Sequence, residues 1–177
     1  MHINIEFKAR CSDPKKVRQI LENESADYKG KDHQIDVYFN SPNGRLKLRK
    51  GKIENYLIYY DRADKKGPKQ SNVYLFKTQQ RTALESLLTK SLGVKAVVDK
   101  QREIYLIGNV KVHIDKVKGL GSFVEVEAMD YKEIIGKSEL KKQCHYYLAK
   151  FGIAKKDLVS VSYSDLLLEK NNNRQCP

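Results

Sequence analysis

Glu125 and Glu127 stand two residues apart in GSFVEVEAM, a segment rich in β-branched and aromatic residues that reads as a strand after the turn Gly119-Leu120-Gly121. Side chains two apart on a strand share a face, so the two carboxylates project side by side and repel each other unless a cation sits between them. That cation is either a metal ion or a neighbouring Lys or Arg. The same spacing recurs along the chain. Glu6 and Lys8 alternate with Ile5 and Phe7, and Arg45, Lys47 and Arg49 alternate with Leu46 and Leu48. Lys100 and Arg102 share a face of a later strand, and Lys111, His113 and Asp115 alternate with Val112 and Ile114. Carboxylates so arranged hold a divalent cation, and lysines and arginines grip a polyanion.

Periodicity supplies the elements that position these groups. Strands are predicted over residues 2–10, 34–40, 45–50, 55–62, 73–78, 97–107 and 110–117, with the hairpin turn Ser41-Pro42-Asn43-Gly44 joining the second to the third. Asp13 is a natural N-cap and Pro14 suits the first helical position, which predicts a helix to about residue 23 that buries Val17, Ile20 and Leu21. Residues 24–33 are polar, hold Gly30 and read as a loop. Leu84, Leu87, Leu88 and Leu92 predict a second helix over 82–92, and Leu140, Cys144, Tyr147, Leu148 and Phe151 a third over 138–151. Ser162 and Asp165 have capping-box spacing for a short last helix through Glu169. Residues 1–170 read as a single domain, and the polar residues 171–177 as a disordered tail.

Two arrangements satisfy this patterning. In one, ordinary half-buried sheets turn their charged face to bulk water. In the other, a sheet curls until its charged face lines a lumen and its apolar face meets the helices. Sorting favours the second, because cations concentrate at 45–49 and 100–102 and acids at 125–127.

Composition narrows the partners. The 177 residues carry a net charge of +12, with 40% apolar and 32% charged residues, which suits one soluble domain with a polyanionic partner. Cys11, Cys144 and Cys176 are widely spaced without a CxxC pair, and His2, His33, His113 and His145 form no HExxH, so a disulfide framework and the common zinc motifs are excluded. Cys144 falls on the apolar stripe of its helix. With no signal-like start and no apolar run of membrane length, a reducing, cytoplasmic location is expected.

The stretches IEFKAR at 5–10, GRLKLR at 44–49, KQREIYLIGNVKVHIDKVKGLGSFVEVEAM at 100–129 and SYSDLL at 162–167 together resemble the CYTH superfamily of triphosphate tunnel metalloenzymes, most closely its class IV adenylate cyclase branch. The resemblance runs from residue 3 to about 169. It implies an α+β fold in which an eight-stranded antiparallel β-barrel forms a tunnel with amphipathic helices packed outside. It also implies a magnesium or manganese cofactor and a small triphosphate substrate: ATP, thiamine triphosphate or inorganic triphosphate. Carried over by position, Glu6, Asp115, Glu125 and Glu127 fall on metal-side acids. Lys8, Lys47, Arg49 and Arg102 fall on phosphate contacts, with Lys8, Arg102 and Asp115 at catalytic positions. Asn4 stands where the motif's first acid belongs, which predicts weaker metal binding, since an amide oxygen brings no charge. The basic residue that many members carry on the next strand has no evident counterpart in NYLIYYDR, and Lys77 is the candidate substitute.

The implied lead activity is conversion of ATP to cyclic AMP and pyrophosphate. The alternatives are a triphosphatase and a non-catalytic module that binds nucleotide or polyphosphate. Nucleic acid is disfavoured because no RRM or KH motif is present. No membrane partner is expected, and class IV members can pair, so a homodimer is compatible. His113 shares the face of Asp115, while Tyr59 and Tyr60 read as packing.

Overall fold

Alternation of apolar and charged residues makes each strand two-faced, and eight such strands roll until the first meets the fifth. The computed structural model describes residues 2–79, 82–131 and 134–175. The strands are β1 (His2–Arg10), β2 (Asp27–Phe39), β3 (Arg45–Lys50), β4 (Tyr56–Arg62), β5 (Lys69–Lys77), β6 (Val94–Ile107), β7 (Val110–Val117) and β8 (Gly121–Asp130). They hydrogen-bond in the order β5-β4-β3-β2-β6-β7-β8-β1, every pair antiparallel, and β1 pairs with β5 to close the barrel. The two-residue β9 (Leu158–Val159) adds to β1.

Four helices lie outside: α1 (Pro14–Asn23), α2 (Leu84–Leu92), α3 (Lys137–Lys150) and α4 (Tyr163–Gln175). Asp13 starts α1 by accepting from the Lys15 and Lys16 amides at 3.1 Å each. The outward phase of β1 and β8, namely Ile5, Phe7, Ala9, Val124, Val126 and Ala128, packs with Leu21 of α1 and with Leu140 and Cys144 of α3 in the main core. α4 is fixed by reciprocal capping. The Ser162 hydroxyl accepts from the Asp165 amide at 3.2 Å, and the Asp165 carboxylate accepts from the Ser162 amide at 3.1 Å. Among the described residues no helix is long and apolar enough to cross a membrane.

β5 and β6 begin a few residues earlier than the sequence predicts, at Lys69 and Val94, and two boundaries differ by more. β2 begins at Asp27, inside the expected loop 24–33, because β6 is long enough to pair with it as far as Leu106. A register shift between Tyr28 and Gly30 absorbs the change, with Gly30 at φ 120°. The last helix continues to Gln175 where a tail was expected from residue 171. Once a capped and packed turn has nucleated a helix, adding polar residues costs little. Cys176 lies outside the described residues.

Candidate active site in the barrel lumen

The inward phase of the strands converges on one cavity enclosing about 900 Å³ of empty space, part of it open to solvent. Its cations are Lys8, Lys47, Arg49, Arg62, Arg102 and Lys111, and its acids are Glu6, Asp36, Glu54, Glu125 and Glu127. Each of these cations meets a carboxylate. Asp36 of β2 accepts from Arg49 at 2.9 Å, from Lys47 at 3.1 Å and from Lys100 at 2.7 Å. Burial alone would raise its pKa, but Arg49, Lys100 and Lys47 outweigh that and hold the carboxyl well below its ordinary range. Lys100 is the counterpart: burial, only partly offset by Asp36, pulls its ammonium down to about 7.

Across the lumen, Arg102 of β6 donates to Asp115 at 2.7 Å and to Glu125 at 2.5 Å, and Lys8 of β1 meets Glu125 at 3.0 Å. Burial raises the Glu125 pKa, yet Lys8 and Arg102 override it and keep the carboxyl well below the usual value. Lys8 is itself lowered by burial, with Glu125 opposing, and its ammonium sits 3.8 Å from the centre of the Tyr163 ring. Arg62 of β4 pairs with Glu6 of β1.

The segment 51–54 positions Glu54. Asp32, fully buried, accepts from the amides of Lys52 at 2.7 Å and Glu54 at 3.1 Å. A Cβ on Gly51 would lie 2.3 Å from the Asp32 carboxylate, so only glycine permits this approach. Glu54 then reaches into the lumen and accepts from Arg49 at 2.8 Å and Lys111 at 3.1 Å.

One group of donors suits a metal. His113 of β7 with Glu125 and Glu127 of β8 offers three ligand atoms within 4.8 Å of one another. His113 is buried and both its ring nitrogens lack a hydrogen-bond partner. Burial first, then Arg102, lowers its pKa, which favours the neutral imidazole that ligates metals. Among the described residues Glu127 has no Lys or Arg nitrogen within 4.0 Å, His113 being its neighbour at 3.7 Å. Uncommitted carboxylate and orphaned imidazole are the donor set a divalent cation takes, so the residues fit one.

Residues 2–163 match the CYTH domain family. The chain belongs to that family. A Methanocaldococcus jannaschii protein named as a candidate adenylate cyclase is 28% identical over 178 residues, 93% of this chain and 98% of its own length. A Pyrococcus horikoshii protein of known structure superposes with a TM-score of 0.78 at 26% identity, covering 94% of this chain and 99% of that one. A candidate adenylyl cyclase from Hippeastrum, described with a dominant triphosphatase activity, shares the fold with a TM-score of 0.58 at 13% identity, over 97% and 96% of the two chains.

The CYTH lumen brings together Glu6, Lys8, Lys47, Arg49, Arg102, Glu125 and Glu127, as well as Asn4. Two expected members fall elsewhere. Asp115 points inward but lies behind the cavity wall, its carboxylate taken by Arg102 and by the Tyr163 hydroxyl at 2.8 Å. Through these contacts it orients Arg102. Lys77 has the right phase on β5 and the wrong height: Leu75, in the same phase, is already 45% exposed at the mouth, and Lys77 lies beyond it in solvent. The cation that β4 contributes is Arg62, which NYLIYYDR contains after all. Tyr56, Ile58, Tyr60 and Arg62 alternate, so the strand's phase carried the signal. Asp36, Glu54 and Lys111 were also missed as members of the lumen.

Proposed function

We propose that the lumen binds a triphosphate and a divalent metal ion and catalyses attack on phosphorus, with cyclisation of ATP to cyclic AMP and pyrophosphate as the leading reaction. One observation carries the reading: six cations and five acids from seven strands and one connecting segment face a single cavity. Acids pair the cations in the free protein. A polyphosphate entering the cavity competes for Lys8, Lys47, Arg49, Arg62, Arg102 and Lys111, and oriented guanidinium groups suit its oxygens bidentately.

Glu127, Glu125 and His113 would hold the metal, with Glu6, directly opposite Glu127 in the β1–β8 register, beside them. When bound, a divalent ion neutralises phosphate oxygens and orients the scissile group. The protein's part is positioning and charge stabilisation. Arg102, locked by Asp115, presents a fixed guanidinium to the charge that develops in the transition state. Lys8, held over Tyr163 and against Glu125, is similarly fixed. In the cyclase reaction the ribose 3′-oxygen bonds to the α-phosphorus, the bond to the bridging oxygen breaks, pyrophosphate leaves, and the hydroxyl proton passes to a carboxylate or solvent. The name of the M. jannaschii relative supports this reaction over hydrolysis.

The deciding experiment incubates the protein with ATP, thiamine triphosphate and inorganic triphosphate, each with magnesium or manganese, and separates the products by chromatography. Cyclic AMP and pyrophosphate are expected. Orthophosphate release would replace the cyclase with a triphosphatase in the same lumen. Absence of turnover on all three, in wild type and Glu127→Ala alike, would overturn the enzyme.

A further inference from the structure

The lumen is not charged all the way round. On β4, β5 and β8 its lining turns apolar at Ile58, Val73, Leu75 and Met129, beside Asn4 and Ser71, while Lys47 of β3 stands opposite Ile58. Asn4 of β1 lies directly opposite Ser71 on β5 and opposite Met129 on β8. Asn4 is 3% exposed and Ser71 fully buried, yet neither the Asn4 Oδ1 nor the Ser71 Oγ makes a hydrogen bond. Buried polar atoms are nearly always paired, and two orphans side by side on neighbouring strands mark a place where a partner from outside the chain belongs. Arg62 of β4 stands directly opposite Ser71 on its other side, and its Nε is also unpartnered. The apolar stretch therefore adjoins the cationic one.

Neither a phosphate nor a metal ion suits walls of Ile, Val, Leu and Met. A flat, uncharged nitrogen heterocycle does, because its faces take apolar contact and its edge takes a donor and an acceptor. An amide supplies both functions whichever way it is turned, and a hydroxyl supplies either. We propose that Asn4, Ser71 and this apolar lining form the subsite for the organic half of the substrate, so the chain takes a triphosphate joined to a base-like heterocycle in preference to inorganic triphosphate. The inference rests on the triphosphate reading above and extends it. It also gives Asn4 a reason of its own. At a position where a carboxylate would add a buried charge beside Glu6, the amide reads a neutral ring.

Isothermal titration with ATP, thiamine triphosphate and inorganic tripolyphosphate, at fixed magnesium, tests this. Wild type should bind at least one of the two organic triphosphates about tenfold more tightly than tripolyphosphate, and the tighter of them identifies the ring. Asn4→Ala and Ser71→Ala should each shrink that ratio by about 3- to 10-fold, the usual range for one lost hydrogen bond. Leu75→Ala, at a half-exposed position where truncation leaves the barrel intact, should shrink it about threefold. A wild-type ratio at or below one, or a ratio that none of the three variants moves, would overturn the subsite while leaving the triphosphate reading standing. Failure of all three probes to bind would overturn both.

Discussion

The two faces of the same strands have been given opposite tasks. On β1 the outward side chains Ile5, Phe7 and Ala9 pack under α1 and α3, while the inward Asn4, Glu6 and Lys8 line the lumen. On β8 the outward Val124, Val126 and Ala128 contrast with the inward Glu125, Glu127 and Met129. Outside, methyl groups leave water and each contributes to stability in rough proportion to area. Inside, charges leave water and their pairing does little more than offset desolvation. Stability accrues on one face and recognition on the other, and the parity of the residue number decides which.

The largest expected effect crosses that divide. Arg102→Met leaves Asp115 and Glu125 without their guanidinium, and removing one partner of a buried pair costs about 3–5 kcal/mol. Urea denaturation should show that loss, with triphosphate affinity falling as well. Leu140→Ala, buried under the barrel in α3, should cost about 2–5 kcal/mol by the same measurement. Its tripolyphosphate affinity should stay within twofold of wild type, and a parallel collapse of affinity would break the separation of the two faces.

Glu127→Gln should do the reverse, weakening manganese binding by about tenfold in a calorimetric titration while the melting temperature hardly moves. Acid should act through the lumen. The folded pKa values of Glu125 and Asp36 lie below their ordinary values of 4.5 and 3.8, so the unfolded chain binds more protons. Their stabilisation is complete above about pH 4.5 and drains away as pH falls through the folded values. Through these two groups denaturation midpoints should hold level from pH 7 to about 5 and fall at pH 3, less steeply in Glu125→Gln, and an unchanged fall in that variant would remove Glu125 from the account. The smallest effect is Lys77→Ala, which should alter stability and triphosphate affinity by no more than about 0.5 kcal/mol.

Period-2 alternation made the strands and the inward identity of Glu6, Lys8, Lys47, Arg49, Glu125 and Glu127 legible, because parity fixes the face without knowledge of neighbours. It did not fix height along the barrel, and that is what sets Lys77 and Asp115 apart from the other inward residues: both have the inward phase, one past the rim and one behind the wall. Arg62 was legible by the same parity and went unread at the end of its strand. Glu54 was beyond reach, since its position depends on Asp32 capping a segment through backbone amides, a contact between residues 22 apart. The start of β2 at Asp27 likewise rests on a partner, β6, that composition does not announce.

The seam between β1 and β5 also governs how the molecule comes into being. β1 pairs Glu6 with Lys69 on one side and with Glu127 on the other, so closing the barrel joins segments far apart in sequence. Pairings of such high contact order form slowly, because loop-closure entropy is lost before any contact repays it. Until β1 docks, β5 and β8 have exposed edges and the charges of the lumen face open water. The binding cavity therefore depends on that seam: only when β1 joins β5 to β8 do the lumen charges face one another across an enclosed space.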